Sequence, residues 1–273
     1  MKLKLDKPID PLLGTKDESP LLTTWLSKMD FSLEQESFFS RHQGGSGEWL
    51  LTSPIFDTWL KEKSSILFCH GISGAGKTIL TSIVIDHLLR LFKRKNLVAI
   101  AYTYCDTDKA EEQTAERLLR NILKQLLQRY HIVPSSVQDI FKDFEGQTSQ
   151  PTLKDIVQAL SSMIRTEHLE VFIIVDALDE CLRYDRDRFL LELFHLRDVC
   201  EIRLMATAQL FPEIKTMFEG VSRVKTVQIS PPKEVIMCYI EGEARKVLEP
   251  QITNDREFMD DIKTTIADIA DGM

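Results

Sequence analysis

The chain lacks a basic excess. Its 34 Lys and Arg are outnumbered by 42 Asp and Glu, leaving a formal charge of −8 over 273 residues. A net acidic chain is a poor general binder of nucleic acid or of anionic membranes, so neither is expected as a partner. It also lacks any run of about 18 consecutive apolar residues, and no transmembrane helix is expected. The stretch Met1 to Asp10 has neither the apolar core nor the small-residue cleavage site of a secretory signal. Cysteine is scarce and odd in number: Cys69, Cys105, Cys181, Cys200 and Cys238, with no C-x-x-C. That count and spacing give no zinc-ligand pattern and suit reduced thiols in a cytoplasmic protein. Internal repeats, low-complexity tracts and an Asn-Lys-x-Asp guanine-reading motif are absent as well.

What is present is an ordinary globular composition, 43% apolar and 28% charged, ample for a buried core. Residues 1–20 are polar and proline-bearing and read as a loose arm. Residues 21–62 read as short helices: Leu21, Leu22, Trp25, Leu26 and Met29 form one helical stripe, and Trp49, Leu50, Phe56, Trp59 and Leu60 a second around Pro54. Between them lies the polar run from His42 to Gly47, read as flexible. Trp49 and Trp59 are assigned to core packing rather than to a stacking platform.

From there strands alternate with helices. The expected strands are Ile66–Cys69, Leu97–Tyr104, Val171–Val175, Arg203–Thr207 and Val224–Ile229. Helices are expected over Lys77–Phe92, from Ala115 through Leu127, over about 135–144, and from a capping box at Thr152 and Asp155. Further helices are expected over Asp187–Val199 and Pro212–Phe218. Near-continuous apolar strands separated by helices imply a mainly parallel five-stranded sheet between two helical layers, an α/β/α fold spanning 63–232. Pro231 and Pro232 end that core, and helices over Glu234–Leu248 and Glu257–Ala270 form a small partial lid, 233–273.

Two segments carry chemistry. Gly71-Ile72-Ser73-Gly74-Ala75-Gly76-Lys77-Thr78 satisfies G-x-x-x-x-G-K-[ST] between an expected strand and an expected helix. The glycines let backbone N–H groups turn inward around a phosphate, and the following helix presents its positive end to it. Lys77 is placed to reach β- and γ-phosphates and the Thr78 hydroxyl to ligate Mg²⁺. The second segment, Val171 to Glu180, delivers Asp176 to the carboxyl end of a buried strand, where ligands bind in such sheets. Asp176 is the expected second Mg²⁺ residue, acting through a water. Asp179 and Glu180 follow within a turn, either one a candidate general base or simply part of a solvated acidic turn. Lys93-Arg94-Lys95 reads as a solvated helix end.

These segments, with Glu34 to Arg41, Gly47-Glu48-Trp49-Leu50-Leu51, Phe56-Asp57-Thr58-Trp59-Leu60 and Asp176-Ala177-Leu178-Asp179-Glu180-Cys181, resemble the NACHT-type P-loop NTPases of the STAND class. The fungal members, whose P-loop module is similar to the nephrocystin N-terminal segment, are the nearest match, over roughly 21–273. The resemblance implies an ATP-operated switch with Mg²⁺ as cofactor, with self-association, and leaves GTP as an alternative nucleotide. It places adenine contacts near Arg41 and Gly44–Gly47, where an ordinary linker is the plainer reading. The family commonly ends the next strand in Thr-Ser-Arg; here the run is Ala206-Thr207-Ala208-Gln209. Gln209 can hydrogen-bond a γ-phosphate but cannot offset its charge, so slow or absent hydrolysis is expected. Family members carry an effector domain before the module and repeats after it. A truncated form is therefore expected, with those parts supplied in trans. The alternatives are a non-hydrolysing nucleotide-binding scaffold and a P-loop kinase.

Overall fold

A computed structural model of the chain describes residues 19–130, 133–144, 151–230, 233–248 and 256–271. Of the arm expected over 1–20, residues 1–18 lie outside the described residues, as does the Pro231-Pro232 stop; Ser19 and Pro20 are not loose but open the first helix.

Five strands form one sheet: β1 (Ile66–His70), β2 (Val98–Tyr104), β3 (Glu170–Asp176), β4 (Arg203–Ala208) and β5 (Val224–Gln228). The order across the sheet is β2-β3-β4-β1-β5, and all four pairings are parallel. β1, β3 and β4 are buried almost throughout, as strands covered on both faces must be. β5 has only intermediate and exposed positions, which suits its place at the edge. The registers Cys69↔Thr207, Tyr104↔Asp176 and Val175↔Ala206 bring the carboxyl ends of β1, β2, β3 and β4 to one level. Placing β4 between β1 and β3 puts Thr207 beside Asp176 and the start of the glycine loop.

The covering helices obey the expected spacing. α5 (Lys77–Leu91) follows the glycine loop; α6 (Ala115–Tyr130) buries Ala115, Leu118, Leu119, Ile122, Leu123, Leu126 and Leu127. α7 spans Ser135–Phe144. α8 (Leu153–Thr166) opens on a complete capping box, with Thr152 and Asp155 bonding each other's backbone N–H. α9 is longer than expected, Arg183–Cys200, and α10 runs Pro212–Phe218. Asp185 explains the early start of α9, since its carboxylate accepts from Ala115 N and fixes the first turn against α6.

The N-terminal part forms α1 (Ser19–Leu26), α2 (Ser32–Ser40), α3 (Glu48–Leu51) and α4 (Pro54–Lys61). Met29 is not part of a helical stripe: α1 stops at Leu26, and the Ser27 hydroxyl accepts from Met29 N, a local bond that competes with helix continuation. Pro54 starts α4 rather than breaking a helix, capped by the Ser53 hydroxyl. Trp59 is fully buried and donates its indole N–H to Leu204 O, riveting α4 to β4. The run from His42 to Gly47, expected to be flexible, is a series of turns with Ser46 N bonded to Gln43 O and Glu48 N to Gly45 O. Gly47 abuts α5 so closely that a Cβ there would stand 2.6 Å from Ile83 Cγ2. α11 (Lys233–Val247) and α12 (Arg256–Asp271) pack together, with Lys263 bridging to Glu241 at 3.3 Å. α11 also meets the turn before α3, where Gly242 lies against the Gln43 side chain.

Candidate functional site

The loop from Gly71 to Thr78 leaves β1 at its carboxyl end and enters α5. Gly71 N donates to Ala208 O at 3.2 Å, continuing the β1–β4 pairing by one residue. A Cβ on Gly71 would meet Ala75 Cβ and Ile229 Cβ at 3.2 Å, so this position tolerates little bulk. Gly74 and Gly76 have φ of +79° and +83°, the left-handed region in which an ordinary side chain strains the backbone. Open space surrounds both, so backbone conformation rather than crowding demands glycine there. Ile72, Ser73 and Gly74 are exposed. Lys77 turns back over the loop and donates to Gly71 O at 3.0 Å and to Ile72 O at 2.9 Å.

Asp176 ends β3 with only 1% of its surface exposed. A carboxylate so buried is costly unless hydrogen bonds replace water. Three hydroxyls supply them. Thr78 Oγ1 donates to Oδ2 at 2.7 Å, while Thr81 Oγ1 and Thr207 Oγ1 donate to Oδ1 at 2.6 and 2.7 Å. Burial pushes the Asp176 carboxyl above its ordinary value; the three hydroxyls and the Lys77 charge oppose that shift by favouring the ionised form. The two oxygens have separate duties: Thr81 and Thr207 anchor Oδ1, which aims Oδ2 at Thr78 and the mouth of the glycine loop.

Thr207 does a second task. Its hydroxyl accepts from Ala177 N at 2.9 Å. Ala177 sits in the left-handed region at φ +54°, a conformation costing about 1–2 kcal/mol for a residue with a Cβ, and this bond helps hold it. The turn that follows separates the two acidic candidates. Asp179 Oδ1 accepts from Gln209 N at 3.0 Å and ties the end of β3 to the end of β4. Glu180 Oε2 accepts from Thr107 N at 3.2 Å. Desolvation of its carboxylate, joined by the negative charges of Asp179, Asp176 and Asp106, raises the Glu180 pKa. Gln209 thus meets the site through its backbone.

The structure therefore brings together Gly71, Ile72, Ser73, Gly74, Ala75, Gly76, Lys77 and Thr78 with Asp176, and places Asp179, Glu180 and Gln209 on the adjoining rim. Sequence reasoning missed Thr81 and Thr207. Thr81 lies one helical turn beyond Lys77, and Thr207 is a hydroxyl at the end of a buried strand; each position was a signal, but a weak one taken alone.

The donor set at the loop mouth suits a hard divalent cation. A carboxylate oxygen and a threonine hydroxyl stand 2.7 Å apart, both oxygen donors, with no soft ligand bonded to either. Among the described residues no cluster of three or more His, Cys, Asp or Glu could hold a metal by itself. Mg²⁺ here fits the mode in which one or two protein oxygens are completed by water and phosphate. Among the described residues no helix is long and apolar enough to cross a membrane.

The chain is similar in part to several solved structures. The ORC2 protein of Aeropyrum pernix, solved as ADPNP–ADP complexes, is 17% identical with a TM-score of 0.47, over 82% of this chain and 55% of that one. The ORC1 protein of the same organism, in complex with DNA, is 14% identical with a TM-score of 0.49, over 88% and 57%. Cdc6p of Pyrobaculum aerophilum is 15% identical with a TM-score of 0.43, over 84% and 54%. The chain thus spans little more than half the length of each. At these values the overlap is partial, and the fold stands on the strand order and registers described above. No curated protein matches the sequence. The family model described as nephrocystin 3, N-terminal, matches residues 45–209, well over half of the chain. That stretch contains the glycine loop, Asp176 and Thr207, and the chain is a member of the nephrocystin 3 N-terminal family, a P-loop nucleotide-binding module.

Proposed function

We propose that this module binds ATP with Mg²⁺ and serves as a slowly hydrolysing molecular switch of the fungal NACHT signalling type. The observation that carries this reading is the 2.7 Å meeting of Thr78 and Asp176, brought from α5 and β3 to the mouth of one loop of backbone amides. Lys77 exchanges the carbonyls of Gly71 and Ile72 for the β- and γ-phosphates. The amides around Gly74 and the amino end of α5 hold the phosphates. When bound, Mg²⁺ supplies charge neutralisation at the β- and γ-phosphate oxygens. Of the two rim carboxylates, Asp179 accepts from Gln209 N and Glu180 from Thr107 N, one oxygen each, and Glu180, the more exposed of the two, orients an attacking water with its second oxygen. α11 lies against the turn before α3, so a nucleotide that draws these two segments together shifts the lid relative to the core, and the changed surface supports self-association. ATP is preferred to GTP for want of a guanine-reading motif. The net charge of −8 disfavours nucleic acid as a partner.

Gln209 favours one further reading, a scaffold that keeps its nucleotide without turnover, because no arginine stands at that position to offset γ-phosphate charge. Phosphate release under saturating ATP separates the two. The switch reading expects slow release that disappears in Lys77→Ala and rises at least about tenfold in Gln209→Arg. Release in wild type no greater than in Lys77→Ala establishes the scaffold instead.

A further inference from the structure

Two cysteines that the nucleotide chemistry does not use have been brought together from 76 residues apart. Cys105 follows β2 and Cys181 follows the acidic turn after β3. Their sulfurs stand 2.6 Å apart, and each residue is buried to 6% exposure. The backbone already joins the two segments, since Cys105 N donates to Asp176 O and Thr107 N to Glu180 Oε2. The neighbours of the pair reach solvent: Thr107, Asp108, Glu180 and Leu182 are exposed. Cys69, in contrast, lies fully buried in β1, its thiol pushed up to about 12 by burial. Cys200 sits at the far end of α9.

We propose that Cys105 and Cys181 form a dithiol oxidation site that takes a hydroperoxide and closes to a reversible disulfide. Cys181, between exposed Glu180 and Leu182, meets the oxidant first. Its sulfur attacks the peroxide oxygen, the O–O bond breaks, and one water leaves as sulfenic acid forms. Cys105 Sγ then attacks that sulfur. The S–S bond forms, the S–O bond breaks, and the hydroxyl departs as a second water with the Cys105 proton. In sum, two thiols and one hydrogen peroxide give one disulfide and two waters. The Cys181 contact and burial hold the Cys105 thiol protonated, which makes closure slow in the resting protein, and the burial of both sulfurs favours a small oxidant.

The bond staples the carboxyl ends of β2 and β3. It keeps Glu180 on Thr107 N and away from an attacking water. β1 and the glycine loop lie two strands from β3, across β4, and are untouched. The effect on turnover rests on the proposed function; the bond itself does not.

Fully reduced wild-type protein exposed to hydrogen peroxide should lose two hydrogens, about 2 Da. Tryptic digestion should then yield a linked pair, residues 96–109 with 166–183, that dithiothreitol separates. Cys105→Ser and Cys181→Ser should each abolish that pair. Oxidised wild type should retain its ATP affinity within about twofold and lose at least about tenfold in phosphate release, recovered on reduction. The inference is overturned if both thiols stay open to alkylation after treatment. It is equally overturned if each proceeds to sulfinic acid without a link, or if ATP affinity falls as far as turnover. Should the reduced protein neither bind ATP nor release phosphate, the proposed function fails while the linked peptides still decide the oxidation site.

Discussion

The glycine loop and the turn around Asp176 face one another at the same edge of the sheet, yet they are built by opposite means. The loop is contiguous and largely open to solvent; its shape comes from φ of +79° and +83° at Gly74 and Gly76. The carboxylate is buried to 1%, and its position comes from hydroxyls at 78, 81 and 207, delivered by the helix after β1 and by β4. One half is specified by what the backbone can do without a Cβ. The other is specified by long-range packing that aligns three side chains on one anion. The comparison teaches that the loop should fail through strain and the carboxylate through lost partners.

The largest effect is expected where the two halves meet. Asp176→Ala should remove the Mg²⁺-dependent part of ATP affinity, about 100-fold or about 2.7 kcal/mol, while metal-free nucleotide binding changes little. Titrations with and without chelator check this; equal losses under both conditions would mean that Asp176 serves the fold rather than the metal. Thr207→Val keeps the shape but leaves Asp176 Oδ1 and Ala177 N each short of a partner. Unfolding in urea should show a loss of about 1–3 kcal/mol, with Thr207→Ser recovering most of it. Gly76→Ala meets open space, so its cost should be the backbone strain alone, about 1–2 kcal/mol, with Gly76→Asn milder. A larger cost from alanine would show that the loop is crowded after all and weaken the contrast.

The smallest effect concerns pH. His87 on α5 lies edge-on to Phe56 at 5.9 Å, and burial holds its pKa below the ordinary 6.5. As pH falls below about 6.5 the unfolded chain takes up a proton that the folded chain declines, so stability falls on the acid side. His87→Gln should flatten that slope by well under about 1 kcal/mol in urea melts at pH 5.5 and 7.5.

These two halves also differ in how far the sequence disclosed them. The strands were legible because each central strand is a short apolar run, and the loop was legible because eight consecutive residues carry its whole geometry. The Thr152–Asp155 cap could be read for the same reason, its partners being three residues apart. Asp176 was visible as an acid closing an apolar strand, but its support was not. Thr81 and Thr207 become partners only when β4 is inserted between β1 and β3, an order that local pattern does not encode. The Cys105–Cys181 contact was hidden likewise, since each cysteine alone reads as a small buried residue. Local patterning also overran α1, because a Ser27 hydroxyl ended the helix before its apolar stripe ran out.

Calorimetric titration of ATP, ADP and GTP, with and without Mg²⁺, on wild type and Lys77→Ala tests the central claim most directly. The account predicts Mg²⁺-strengthened binding of ATP to wild type, weaker binding of GTP, and a loss of at least about 100-fold in the variant. ATP binding that is indifferent both to Mg²⁺ and to the loss of the Lys77 ammonium would contradict it.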